Sequence, residues 1–520
     1  MEQRIKAPGE LFDICTKKLK KEWKLAFFSA VVIGLLIHMP ALLSDIPNHD
    51  GLDSLYFDQN MITSGRWFLM VACGASSFYT IPWVIGLIGL LWLGVTAAVL
   101  TELLEVKKGW AIVGISGLLT AFPALASTFA YVFTLDGYML ALLLASLSVL
   151  LTKKYRYGFL AGGVCLAFSL GIYQGYLAFA MILCVFAILM LFAGEGSTAE
   201  KLRTMLHYPC MGILGAVLYY VILQLLLRLE GKELASYQGI SGMAGGVPDG
   251  GILGTIRSMY SDFVHFSAGG NVLFNNGLSA AACILLALTA FGTGVLLVLR
   301  RKWWKNPLFF VIMFLAVMAL PLITNVILMI SPSVTYHLLM RYQWVLYLIG
   351  MTAFVSRYSG EVPYAKMMEW VALAGTFVIV FCYGVADNIG YSNLQKKYEK
   401  TYAYCVRLLD RIEQTEGYYQ GIPIAMVGVV GDAEYPLTDI TLPVTSGMIG
   451  LNGDMLLYTG ENYRLFIQNY LGATLNILPA EAMSEMYYEE EYISMDSFPG
   501  ENSIRIIDGI MYIKTENANR

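Results

Sequence analysis

The chain has 520 residues, of which 57% are hydrophobic and only 14% charged. A water-soluble protein carries roughly a quarter charged residues, so an ordinary soluble globule is excluded and lipid is indicated as the solvent. The net charge of −4 is too small to call for nucleic acid or another polyelectrolyte partner.

Charge is placed unevenly along the chain. Residues 1–386 hold long uncharged runs, whereas 387–520 read as a soluble segment rich in Asp, Glu and Tyr. The pattern predicts a cytoplasmic N-terminal segment at 1–24, a transmembrane domain at 25–386 with an acidic first outer loop at 44–78, and a small α/β domain at 387–520. The N-terminal charges run up to Lys24 and give way to an apolar run with no small-residue cleavage pattern, so this run reads as a retained span. Cys15, Cys73, Cys165, Cys184, Cys210, Cys283, Cys382 and Cys405 form no CxxC or Cys/His pairing, which indicates neither a metal cage nor a disulfide framework.

A helix needs roughly 20 apolar residues to cross about 30 Å of hydrocarbon. Runs of that kind fall near 25–43, 79–101, 110–128, 137–152, 157–172 and 175–193, then 206–227, 276–299, 307–330, 342–356 and 367–386. This predicts an α-helical polytopic membrane protein of about eleven spans. Lys17, Lys18, Lys20, Lys21 and Lys24 precede the first span. Lys107 and Lys108, then Lys153, Lys154 and Arg156, then Lys201 and Arg203 follow in alternate turns, as do Arg300, Arg301, Lys302, Lys305, Arg357 and Lys366. The other turns hold few, among them Arg66, Lys232, Arg257 and Arg341. Basic residues stay on the cytoplasmic side, so simple alternation predicts a cytoplasmic N-terminus and, with an odd number of spans, a C-terminal domain outside.

The polar residues then collect on the outer face. The first outer loop contains HDGLDSLYFDQ and SGRWF, with Asp45, Asp50, Asp53, Asp58 and Arg66. The stretch from Asp50 has helical character, which places Asp50 and Asp53 on one face at i,i+3. An acidic residue in a loop is ordinarily just solvated, so this placement alone assigns no role. FTLDGYM puts Asp136 at the lip of a span, where a carboxylate is costly without a partner or a task. SLGIYQGY offers Tyr173 and Gln174, which fit an interfacial anchor as well as a pocket. The loop at about 229–275 holds the glycine-rich YQGISGMAGGVPDGG, which has no Walker or Rossmann context. It also holds an amphipathic stretch, 256–268, suited to lie along the interface as a lid. SPSVTYHLLMRYQW brings His337 and Arg341; His49 and His337 read as structural residues or as supports for the substrate-binding groups rather than as metal ligands.

A carboxylate at the outer lip with arginines opposite suits transfer of a group from a phosphate-linked lipid donor. The carboxylate would act as general base on an acceptor hydroxyl, and arginine would hold the phosphate and stabilise its charge as the bond breaks. Phosphate is already a competent leaving group, so no acid catalyst is required; no cofactor is required either, while the need for a divalent metal ion is left open. A nucleotide-sugar donor would demand a cytoplasmic site, and the cytoplasmic turns are too short for one.

The series HDGLDSLYFDQ, SGRWF, FTLDGYM and SLGIYQGY resembles the bacterial Gtr type II glucosyltransferase family, of the GT-C class, over about residues 20–390. The resemblance implies a GT-C-like fold, a donor of polyprenyl-phosphate-linked glucose or a related hexose, and an acceptor that is a surface glycan or its lipid-linked precursor. It also implies a single inverting displacement and an essential acidic residue in the first outer loop. That residue maps best to Asp50, with Asp53 second. Many relatives show adjacent acidic residues where this chain has Asp50-Gly51, which leaves the choice between the two open. Arg66, Asp136, Tyr173, Gln174, His337 and Arg341 are the expected substrate-binding residues. Some relatives use a divalent ion and others do not; no metal ligand set is read from this chain.

In the C-terminal segment, 389–416 has helical spacing, IPIAMVGVVG reads as a buried strand, and SIRIIDGIMYIK predicts a hairpin turning at Asp508-Gly509. MYYEEEY reads as solvated surface. Two rival functions remain. A transporter or flippase for a lipid-linked or polar solute calls for ionisable groups at mid-depth or repeat symmetry, and the predicted spans show neither. A scaffold or receptor would leave Asp50, Asp136 and Arg341 without a task.

Overall fold

The computed structural model of the chain describes residues 9, 17–53, 57–79, 81–235, 251–305, 307–331, 334–426 and 459–515, together with 445, 447, 448, 450, 451 and 457. The glycine-rich stretch 237–250 and the second half of the predicted strand, 427–431, lie outside the described residues.

Helices α1 (Lys21–Leu43), α2 (His49–Asp53), α3 (Leu69–Tyr79), α4 (Pro82–Leu103), α5 (Gly109–Ala121) and α6 (Pro123–Phe129) open the chain. They are followed by α7 (Leu135–Lys154), α8 (Gly158–Ile172), α9 (Leu177–Ala193), α10 (Thr198–Met205) and α11 (His207–Glu230). Next come α12 (Gly251–Gly269), α13 (Gly277–Arg301), α14 (Pro307–Thr324), α15 (Val326–Ile330), α16 (Val345–Tyr358) and α17 (Ala365–Gln414). Each of the eleven predicted runs holds a helix. Among the described residues nine helices are long and apolar enough to cross a membrane, and α5 with α6, bent by 45°, makes a tenth. The bend has a local cause: Phe122 precedes Pro123 and is held extended, at φ −67° and ψ 128°. The remaining run, 157–172, forms α8, whose 15 residues span about 22 Å at 1.5 Å per residue, short of the hydrocarbon thickness.

The bundle packs α1 on α4 and α5, α4 on α7, α7 on α8, α8 on α11 and α13 on α17 around one continuous apolar core. The α7–α8 contact depends on glycine. A Cβ at Gly158 would lie 1.8 Å from the Leu151 carbonyl oxygen, and one at Gly162 would lie 2.5 Å from that of Ser148. Small residues permit this backbone approach, as in other membrane helix pairs.

The two ends of the bundle differ. At one end Glu102 accepts hydrogen bonds from Lys20 at 2.8 Å, Trp23 at 3.0 Å and Lys154 at 3.2 Å. Glu105 pairs with Lys153 at 2.8 Å and Arg357 at 2.6 Å. Lys108 pairs with Glu369 at 2.7 Å, and Arg301 forks onto Glu361 at 2.7 and 2.9 Å. Half-exposed pairs contribute little each, but this lattice gathers the basic turns in one place. At the other end the helices are separated by short 3-10 turns, Ile62–Ser64, Val132–Thr134, Gln174–Tyr176 and Leu338–Trp344. The third of these packs on the fourth.

The change in composition at 386–387 occurs inside α17, a single helix of 50 residues. Beyond it lie β1 (Pro423–Met426), α18 (Gly460–Phe466), β2 (Asn476–Ile477), α19 (Ala480–Met483), α20 (Glu490–Ile493), β3 (Ile504–Ile507) and β4 (Ile510–Ile513). The sheet order is β2-β1-β4-β3, with β1 parallel to both neighbours and β3–β4 antiparallel. The hairpin turns where expected: Asp508 and Gly509 have φ of 49° and 82°, as a type I′ turn demands. The MYYEEEY stretch is not all solvated surface. Tyr492 is buried with Ala425, Met483 and Met495, and the buried Lys514 ammonium donates to the carbonyls of Tyr492, Ile493 and Met495. The apolar ring fills a core position that the acidic neighbours hide in the sequence.

Because the Gly158 clash is with backbone, it cannot be relieved by rotating a side chain. Gly158→Ala is expected to lower thermal stability in detergent by about 1–3 kcal/mol, read as a shift in the midpoint of size-exclusion peak loss on heating. An unchanged midpoint would show that α7 and α8 do not pack this closely.

Candidate active site

The SGRWF segment makes a tight reversal. Its Ile62–Ser64 turn ends at Gly65, with φ 75°, and a lone bridge pairs Met61 with Arg66. The reversal docks on the GIYQ segment, more than 100 residues away in sequence. The Phe68 amide donates to the Gly171 carbonyl at 2.8 Å. Gln174 Nε2 donates to the Ser64 carbonyl at 3.2 Å and to the Tyr219 hydroxyl at 3.0 Å, and that hydroxyl donates to the Gly65 carbonyl at 3.1 Å. Both glycines are crowded, and Gly65 also takes a left-handed φ that favours glycine. A Cβ at Gly65 would lie 2.6 Å from the Tyr219 hydroxyl, and one at Gly171 would lie 2.6 Å from the Trp67 indole.

This docking places Arg66 among aromatic rings. Its guanidinium lies 5.2 Å from the Tyr173 ring centroid, and Nη1 donates to the Tyr138 hydroxyl at 3.1 Å. Tyr138 and Tyr173 stack with centroids 4.2 Å apart, and Tyr176 meets Tyr173 edge-on at 5.2 Å. Such faces attract a guanidinium and offer flat apolar surface with hydroxyls at the rim. Arg66, Tyr173 and Gln174 therefore form one cluster. Two of its members, Tyr138 and Tyr219, went unassigned in the sequence, the first beside Asp136 and the second inside an apolar run.

Asp136 is buried in the first turn of α7. Its Oδ2 accepts from the Ser76 hydroxyl of α3 at 2.5 Å and its Oδ1 from the Gly137 amide at 2.9 Å. These are protein partners rather than an arginine, so the carboxylate joins α3 to α7 next to Tyr138.

Arg341 lies in a second cluster. Its two terminal nitrogens fork onto Asp262 at 2.7 and 2.8 Å, and Nε donates to the Tyr336 carbonyl at 3.2 Å. Its guanidinium is flanked by the rings of Tyr336 at 3.7 Å and Phe266 at 4.6 Å. Asp262 and Phe266 belong to the amphipathic stretch expected to form a lid. That stretch, as α12, packs on α14 and α15 and is held by this bidentate pair. His337 is half-buried and precedes the Leu338–Trp344 turn. The turn that carries Arg341 meets the Gln174–Tyr176 turn where Tyr176 and Tyr342 approach edge-on, 6.3 Å between centroids.

Asp50 and Asp53 share the short α2, and both are exposed. The loop is seated against α18 of the C-terminal domain. Partial desolvation at this contact, then repulsion from Glu461 and Asp50, holds the Asp53 carboxyl above its ordinary value, with Arg464 opposing. Arg464 itself forks onto Glu461.

Two further buried polar groups fall outside the expected set. His38 Nε2 donates to the Thr120 carbonyl at 2.7 Å, so in the neutral ring Nδ1 accepts from the Tyr391 hydroxyl at 2.6 Å. Asp387 is fully buried, and neither carboxylate oxygen has a hydrogen-bond partner among the described residues. Among those residues no three His, Cys, Asp or Glu side chains are grouped to hold a metal ion.

Membrane-length helices, an acid–base lattice at one end and an arginine–tyrosine cluster at the other define a polytopic membrane protein with its candidate site at one end of the bundle. Residues 39–356 match the family described as Glucosyl transferase GtrII, and the chain belongs to that family. The matched region includes the acidic loop, Arg66, Asp136, Tyr173, Gln174 and Arg341, and it ends before Asp387 and the C-terminal domain. No curated protein and no solved structure matches the chain. Membership makes this protein a membrane glycosyltransferase.

The raised Asp53 carboxyl fixes a sign. A group with its folded pKa above the unfolded value stabilises fully below that unfolded value, and the benefit is lost as pH rises through the folded one. Asp53→Asn is therefore expected to raise the thermal midpoint relative to wild type at pH 7, with the gap closing below about pH 4. An equal midpoint at pH 7 would show that the Asp53 carboxyl is not held above its ordinary value.

Proposed function

We propose that this glycosyltransferase moves glucose or a related hexose from a polyprenyl-phosphate-linked donor to a surface glycan or its lipid-linked precursor, on the non-cytoplasmic face. The observation that carries the reading is the docking of SGRWF on GIYQ, which sets Arg66 among Tyr138 and Tyr173 at the end of the bundle opposite the basic lattice. Basic turns favour the cytoplasm. On that rule the arginine–tyrosine cluster, the acidic loop and the C-terminal domain face outward.

Asp50 takes the proton of the acceptor hydroxyl, with Asp53 as the second candidate. The acceptor oxygen attacks the anomeric carbon, the sugar–phosphate bond breaks, and polyprenyl phosphate leaves with the bonding pair. One displacement of this kind inverts the anomeric centre. Arg66 binds the phosphate and stabilises the charge it gains. Tyr173, Tyr138 and Gln174 line the sugar pocket, and Asp136 holds α3 and α7 beneath them. Arg341, held on Asp262, and His337, which precedes the Leu338–Trp344 turn, border the site on the acceptor side. No step in this scheme calls for a metal.

A transporter or flippase is the second reading, and Asp387 favours it, because an unpartnered carboxylate within a helical bundle commonly marks an ion or solute path. The family match weighs against it.

Asp50→Asn is expected to cut transfer of labelled glucose from polyprenyl-phosphate glucose by about 10²–10⁴-fold, with the size-exclusion profile unchanged. Near-normal turnover would remove Asp50 as the base and pass the test to Asp53→Asn. Reconstituted without donor, the protein is expected to move neither sugar nor lipid-linked sugar across liposomes above protein-free controls. Transport abolished by Asp387→Asn would support the second reading instead.

A further inference from the structure

The acidic loop does not hold its shape by itself. Helix α2 has five residues, far below the length at which a helix is stable in isolation. Its backbone is tightened locally: the Asn48 side-chain oxygen accepts from the Gly51 amide at 2.8 Å, and a Cβ at Gly51 would meet Pro47 at 3.0 Å. The remaining apolar side chain of the turn, Leu52, stands between Asp50 and Asp53 and is 2% exposed. It is buried in the core of the C-terminal domain, with Tyr404 and Leu408 of α17 and Tyr463 and Phe466 of α18. Around this contact, α18 packs along α2 and brings Glu461 and Arg464 next to Asp53. A second contact supports the loop from the same domain. Gly450 comes so close that a Cβ there would lie 2.8 Å from Ala130 and 3.6 Å from the buried Asn48 amide nitrogen.

We propose that the C-terminal domain is the seat of the acidic loop, and that Leu52, inserted into that domain's core, is a positioning residue that sets where Asp50 and Asp53 stand relative to the membrane-embedded site. The inference rests on the reading of the loop as the source of the general base, and it gives the C-terminal domain a task within the same active site. A leucine between two carboxylates is exposed to water unless something covers it, and here the cover is a separate folded unit. Register at the reacting atoms depends on that seat. A displacement of about 1 Å at a reacting group can cost on the order of 10²-fold in rate.

The test uses the full-length protein in detergent and two readouts. Hydrogen exchange measures protection of residues 44–60, and steady-state kinetics with polyprenyl-phosphate glucose separates kcat from KM. Leu52→Ala is expected to lose loop protection and to lower kcat at least tenfold with KM within about twofold, while Leu52→Met, which keeps volume, restores both. Unchanged protection in Leu52→Ala overturns the seat. Lost protection with wild-type kcat overturns the positioning role. Asp50→Asn and Asp53→Asn run in parallel. If both turn over normally, the reading of the loop as the base falls, and the protection measurement still decides whether the domain holds it.

Discussion

The arrangement at the candidate site depends on one close backbone approach, the SGRWF reversal lying on the GIYQ turn. Two glycines make it possible. With a side chain at Gly65 the Tyr219 hydroxyl and Gln174 amide would be displaced, and with one at Gly171 the Trp67 indole would be. Everything that gives Arg66 its surroundings follows from this contact: the Tyr173 face beneath it, the Tyr138 hydroxyl at its tip, and the Tyr219–Gln174 bridge behind it. In a bundle whose helices bury apolar surface against lipid as well as against each other, such backbone approach is what localises polar chemistry. The Phe68 amide bonds the Gly171 carbonyl, and the Gln174 and Tyr219 side chains satisfy the Ser64 and Gly65 carbonyls, so these loop carbonyls are not left facing lipid.

The rest of the molecule supports the asymmetry between the two ends. At the basic end, Glu102, Glu105, Glu361 and Glu369 each take lysines or arginines from turns far apart in sequence. At the other end Arg66 is placed against the Tyr173 ring and Arg341 is forked onto Asp262, while Asp50 and Asp53 of the acidic loop stay exposed. The first end ties turns together, and the second encloses a small number of groups. The C-terminal domain extends the second end through the unbroken α17, and it takes Leu52 of the first loop into its own core.

Much of this was legible along the chain because it is written in local patterns. Apolar run length marked the spans. The i,i+3 spacing marked α2, and Asp508-Gly509 marked the hairpin, because only residues tolerant of positive φ fit that turn. Other features were hidden because they depend on a partner elsewhere. Tyr219 reads as one more aromatic in an apolar run until Gly65 is beside it. Asp262 is one polar residue among others in the amphipathic 256–268 stretch until Arg341 forks onto it. Asp387 lies one residue past the end of a predicted span, yet it is fully buried because α17 continues and neighbouring helices close over it. Leu52 looks like a loop leucine of no consequence.

By itself, the sequence determined the solvent, the spans, the alternation of basic turns and the hairpin, since each follows from hydropathy, charge or φ preference within a few residues. Only the tertiary structure decided which polar groups meet: that Arg66 and not Arg341 joins Tyr173 and Gln174, that Asp136 bonds Ser76, and that a leucine between two aspartates belongs to another domain's core. Those are contacts between residues scores of positions apart. They are set by which helix faces pack together, and no local spacing encodes that.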